Sequence, residues 1–168
     1  MKKFINIFLI LSFVIALVLT IWVYYLSNNS IGNIKFDQKN DSSSFIVCKK
    51  DVVLDYYKVG TNYEGGVKAI RKEIYRLTET EDLNFKNKSG YITFRFIVNC
   101  NGEIGRFRVK MINKNLQEDK HDILTINKLK EALKKLKKWN PGKIRDSNVD
   151  SYYLVRFKIE KGKIIDIF

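Results

Sequence analysis

Histidine is almost missing from this chain. Its one residue, His121, lies in the polar loop Glu118-Asp119-Lys120-His121-Asp122. Ser-His-Asp and Cys-His nucleophilic sets both need a histidine beside the nucleophile, so chemistry of that kind is excluded and the chain reads as a non-enzyme. Cysteine is nearly as scarce, with only Cys48 and Cys100. Two thiols and one distant histidine do not make a four-ligand zinc site, so neither metal nor cofactor is expected. Gly60, Gly65 and Gly66 lack the preceding strand and following Lys-Ser/Thr of a phosphate-cradling loop. Glu79, Glu81 and Asp82 cluster in a loop rather than as paired carboxylates in a cleft. No arginine-rich block or arm is present, and nucleic acid is not an expected partner.

The first 26 residues carry the strongest signal. Lys2-Lys3 precede an apolar run from Phe4 to Leu26, interrupted only by Asn6, Ser12 and Thr20. At about 1.5 Å per residue a helix over this run is roughly 34 Å long, enough to cross a hydrocarbon core of about 30 Å. Trp22, Tyr24 and Tyr25 gather at its far end, where amphipathic rings prefer the interface, and the lysines place the N-terminus in the cytoplasm. The expected location is a single-pass inner-membrane protein with its C-terminal part in the periplasm. The alternative is a cleaved signal peptide. The run exceeds a secretory h-region, and its boundary Val23-Tyr24-Tyr25-Leu26-Ser27 is bulky where a peptidase takes small residues. Both readings export the same domain.

About 140 residues remain, enough for one compact domain of ordinary size. The formal net charge of +13 lies almost entirely in this part. Such a balance favours anionic surfaces such as peptidoglycan, acidic lipid or acidic partner loops. A lysine-rich solvated face is the plain alternative. Two exported cysteines favour a Cys48–Cys100 disulfide, with free thiols the other possibility.

Residues 27–62 read as a polar linker with possible short strands at 45–48 and 52–57. Val67, Ile70, Ile74 and Leu77 follow helical spacing after Gly65-Gly66, predicting a helix over 65–77. From Tyr91 the period changes to two. Ile92, Phe94, Phe96 and Val98 share one face, Asn101-Gly102 turns the chain, and Ile104, Phe107, Val109 and Met111 follow with Arg106, Arg108 and Lys110 outward. A hairpin over 91–112 is expected. Ile126, Leu129, Leu133, Leu136 and Trp139 predict a second helix over 125–139 with Thr125 as its cap, stopped by Pro141-Gly142. Tyr153, Val155, Phe157 and Ile159 then alternate in a strand over 152–160, after which Lys161-Gly162 bends the chain. The economical fold is α+β: a two-layer domain with a three-stranded antiparallel sheet and two helices.

The run Gly65-Gly66, then Gly90-x-x-x-Phe94-x-Phe96-x-Val98-x-x-x-Gly102-x-Ile104, then Trp139-x-Pro141-Gly142 and a final aromatic-rich strand resembles the C-terminal domain of TonB-type energy transducers over residues 63–168. It is similar in arrangement to the TonB-like envelope proteins of Bacteroidetes. The resemblance implies a domain that pairs with a strand of an envelope or outer-membrane transport protein. It places the recognition edge on Tyr152, Tyr153, Leu154, Val155, Arg156, Phe157, Lys158 and Ile159. Family transducers also carry a long proline-rich spacer and an anchor histidine. This chain has Pro141 alone and Ser12 as the small polar residue mid-anchor, so the resemblance implies binding rather than energy transduction. A structural envelope protein attached electrostatically to peptidoglycan or anionic lipid is the competing reading.

Overall fold

In the computed structural model, residues 2–30, 34–49, 52–120 and 122–168 are described, and the chain divides into two compact units, 1–33 and 34–168. The first contains one helix, α1 (Lys2–Ser30). Its stretch Phe4–Tyr25 has a mean hydropathy of 2.8 and no buried residue, and it is the one helix among the described residues long and apolar enough to cross a membrane. Ser12 Oγ donates to the Leu9 carbonyl at 2.9 Å and Thr20 Oγ1 to the Ala16 carbonyl at 2.8 Å. The two hydroxyls are thus satisfied within their own helix, as an apolar solvent demands.

The second unit is α+β with a mixed sheet. Its elements in chain order are β1 (Leu54–Asp55), α2 (Tyr56–Val59), β2 (Asn62–Tyr63), α3 (Gly66–Thr78), β3 (Gly90–Val98), β4 (Ile104–Asn113), α4 (Ile123–Lys134), β5 (Trp139–Asn140), β6 (Gly142–Ile144), β7 (Ser147–Val149), β8 (Ser151–Glu160) and β9 (Lys163–Ile167). The main sheet runs β1-β8-β3-β4, with β9 also on β8; β2–β5 and β6–β7 form two small antiparallel ladders. β4, β3 and β8 are antiparallel neighbours, while β1 lies parallel to β8.

Period-two patterning sorts each long strand into two faces. Ile92, Phe94, Phe96 and Val98 of β3 and Val155, Phe157 and Ile159 of β8 pack with Ile70 and Ile74 of α3 and Leu129 and Leu133 of α4. Phe94, Phe96 and Phe157 are fully buried, each contributing roughly 1.5–3 kcal/mol through burial. α4 begins at Asp122, whose carboxylate accepts the Thr125 N–H at 3.1 Å. Thr125 is therefore not the cap. It lies buried one turn in, exchanging hydrogen bonds with the Asn84 backbone.

Three expectations need correction. α4 stops at Lys134, and Trp139 belongs to β5, opposite Tyr63, where its ring lies 4.7 Å from that of Tyr153 and 5.4 Å from that of Phe96. The sheet has five strands rather than three, because β1 and β9 add to it. Residues 34–62 are part of the compact unit rather than a linker. Within them, 34–49 with 52 and 53 form a strap on the face of the sheet away from α3 and α4. Ile34, Val47, Phe45 and Val53 pack there on Ile97 and Tyr152. Gly105 is required beneath this strap, since a Cβ would come within 2.3 Å of the Phe45 ring.

Candidate functional site

The strand expected to offer the recognition edge lies inside the sheet. β8 pairs with β3 from Ser151 to Ile159 on one side. On the other, β1 covers Ser151 and Tyr152, and β9 covers Phe157 to Glu160. Arg156 and Phe168 also exchange backbone hydrogen bonds of 2.6 and 2.9 Å. Only Tyr153, Leu154 and Val155 fall between these two covers. The eight predicted residues split by face: Tyr153, Val155, Phe157 and Ile159 are buried in the helix-side core. Tyr152, Leu154, Arg156 and Lys158 take the other face. Tyr152 lies under the strap, its hydroxyl accepting the Ile34 N–H at 3.3 Å. The physical reason is the Lys161-Gly162 turn. Gly162 at φ 75° reverses the chain and lays β9 on the edge a partner would need.

Among the described residues β1, β9 and β4 each pair on one side only; β1 has two residues, β9 has five and its Ile167 carbonyl is taken by Arg71, and β4 is the long edge. Among the described residues no other strand pairs with it beyond β3; residues 117–119 touch only its far end, through the Ile112↔Glu118 bridge and Asp119 N–H to the Met111 carbonyl. The outward backbone groups of this strand therefore belong to Asn113 and Met111, which residues 116–119 bond in part, and by alternation to Val109 and to Phe107, whose carbonyl accepts from Arg108 Nη1 at 2.8 Å, so the open groups centre on Val109.

The face beside β4 is cationic. Register brings Arg108 opposite Arg95, which lies opposite Leu154. In the next row Lys110, Thr93 and Arg156 are neighbours, and in the third Ile112, Tyr91 and Lys158. A bulge with Arg106 at φ 53° shifts the register between Arg95 and Ile97 and sets up this alignment. Arg108 is neutralised by Asp41 of the strap through bonds of 2.8 and 2.9 Å. Burial pushes the Asp41 carboxyl up, but the Arg108 hydrogen bond and the Asp37 backbone outweigh it and hold it below its ordinary value. Lys158 pairs with Glu160 at 2.8 Å, a hydrogen bond that raises its ammonium. The Arg95 guanidinium stacks 4.2 Å from the Tyr152 ring centre and that of Arg156 5.4 Å from Phe168.

Cys48 and Cys100 are joined, their Cα atoms 6.2 Å apart. The bond fastens the strap to the β3–β4 turn. Asp150, buried, braces both ends by accepting the Lys49 and Cys100 N–H groups at 2.8 and 2.9 Å. Asn99 accepts the Asn101 and Glu103 N–H groups and donates to the Ile46 carbonyl. The two sulfurs and the Asp150 carboxylate lie within 4.8 Å of one another, but sulfurs bonded to each other are not available as thiolate ligands. His121 lies outside the described residues. Arg95, Arg108, Lys110 and Thr93 went unassigned by sequence reasoning. Their outward alternation is visible in the chain, but their adjacency depends on a register that it does not display. No known family model, curated protein or solved structure matches this chain.

Proposed function

We propose that this chain is a non-enzymatic binding module of the cell envelope, held by α1 in the inner membrane with its domain in the periplasm, that takes an extended partner segment along β4. The observation that carries this reading is the open side of β4. Its unshared backbone donors and acceptors are a template for strand addition, and the cationic rows beside it favour a segment carrying acidic residues. This keeps the TonB-like mode of recognition and moves it from β8 to the opposite edge of the sheet.

Photocrosslinking in cells from a reactive residue at Lys110 tests the reading. A Val109→Pro substitution removes an outward N–H, and the adduct should vanish while circular dichroism still shows a folded domain. An undiminished adduct from the folded variant overturns β4 as the edge. Lys110 and Arg156, with no ion-pair partner among the described residues, favour a second reading, electrostatic attachment to peptidoglycan or anionic lipid. Attachment of that kind is screened over about 10 Å at 0.1 M salt and is lost by about 0.5 M, whereas a strand-paired adduct survives.

A further inference from the structure

Lys110 and Arg156 flank Thr93 in one cross-strand row, and no acidic residue pairs with either among the described residues. Arg156 donates from Nε to Thr93 Oγ1 at 3.3 Å, which fixes the guanidinium plane. Its Nη groups meet no acceptor among the described residues. One row of the groove lining thus brings two cations and a hydroxyl, a donor set suited to a phosphate oxygen cluster. One row further the character changes. Tyr91 faces Ile112, and Leu116, 71% exposed, borders them. Together these residues line a groove of about 600 Å³, charged at one end and apolar at the other.

An inorganic anion uses only the charged half and a hydrophobic peptide only the apolar half. An amphiphile uses both. We propose that this groove holds one anionic glycerophospholipid, its phosphate between Lys110, Thr93 and Arg156 and the start of an acyl chain along Tyr91, Ile112 and Leu116. Charge complementarity supports this occupant, and the chain itself supplies a second argument. The same chain carries α1, an apolar helix long enough to span a bilayer and so to tether the domain to a lipid surface. The site rests on the anchor but not on strand capture by β4, so either proposal can fail alone.

The test uses the full chain in phosphatidylcholine nanodiscs doped with phosphatidylglycerol bearing a photoreactive acyl chain, with labelled peptides mapped by mass spectrometry. Labels should appear on Tyr91, Ile112 or Leu116 in addition to α1. Lys110→Gln and Arg156→Gln should each lower groove labelling about fivefold, the usual contribution of one basic residue at an anionic surface, without lowering labels on α1. Labels confined to α1, or groove labels unchanged in a folded double variant, would overturn the proposal. Equal groove labelling by photoreactive phosphatidylcholine would do the same, because it removes charge selection. Full protection by free glycerol phosphate would assign the groove to a soluble phosphate instead of a lipid.

Discussion

The two faces of the sheet are built from alternate residues of the same strands, yet they obey opposite rules. Toward α3 and α4, β3 presents Ile92, Phe94, Phe96 and Val98, all sealed from solvent. Away from the helices it presents Tyr91, Thr93 and Arg95, opposite Lys110, Arg108 and Arg156. Arg95 and Arg108 are like charges directly opposite there, but Asp41 offsets Arg108, and Thr93 separates Lys110 from Arg156. The helix side thus carries the cohesion of the domain, and the open side holds cations that a ligand or partner of opposite charge can meet.

The largest break in this comparison comes from the helix side. Phe94→Ala should destabilise the domain by about 3–5 kcal/mol in urea unfolding, while Thr93→Ala next to it changes little. Second is the bond that holds the strap over part of the open face. Serine at both Cys48 and Cys100 should lower stability by about 4 kcal/mol at most, the entropy of a closed loop of 52 residues, and should raise proteolysis within the strap first. Third is the pair beneath the strap. The Asp41 carboxylate accepts two hydrogen bonds from Arg108 and its side chain is 1% exposed, so Asp41→Asn should cost about 1.5–3 kcal/mol. The lowered Asp41 carboxyl adds a pH signature. Its stabilisation is present above the unfolded value of about 3.9 and lost as pH falls through the lower folded value. Acid unfolding of the Asn variant should therefore lack that component. Smallest is Lys110→Gln, which should stay within about 0.5 kcal/mol in stability while lowering capture of anionic lipid, a separation of binding from folding that the helix side never allows.

Local periodicity made α3, the β3–β4 hairpin and β8 legible, because each buries one face and repeats it over several turns or pleats. The step from Ile104 to Phe107, three residues instead of two, is the trace of the bulge at Arg106, although its consequence for register cannot be seen without both strands. α4 is shorter than its periodicity predicts because Leu136 and Trp139 keep helical spacing after the helix has ended; Leu136 is buried in the main core, and Trp139 by the β2–β5 ladder and the aromatic cluster. The strap escaped detection for a different reason. Ile34, Phe45 and Val47 have no period of their own, and their partners Ile97 and Tyr152 are distant in the chain. The cover on β8 was not legible because β9 is short and follows a two-residue turn, so its pairing with β8 depends on tertiary fit rather than on pattern.

The bond between Cys48 and Cys100 also fixes how the domain bears load. Under the proposed strand capture, tension between α1 and a segment held on β4 would enter through residues 34–48, cross the two sulfurs, and leave through the β3–β4 turn. Residues 49–99, with β1, α2, β2, α3 and β3 among them, lie inside the covalent loop and off that line of force. A pull strong enough to strip the strap from Ile97 and Tyr152 is then stopped at a covalent link before it reaches the aromatic core.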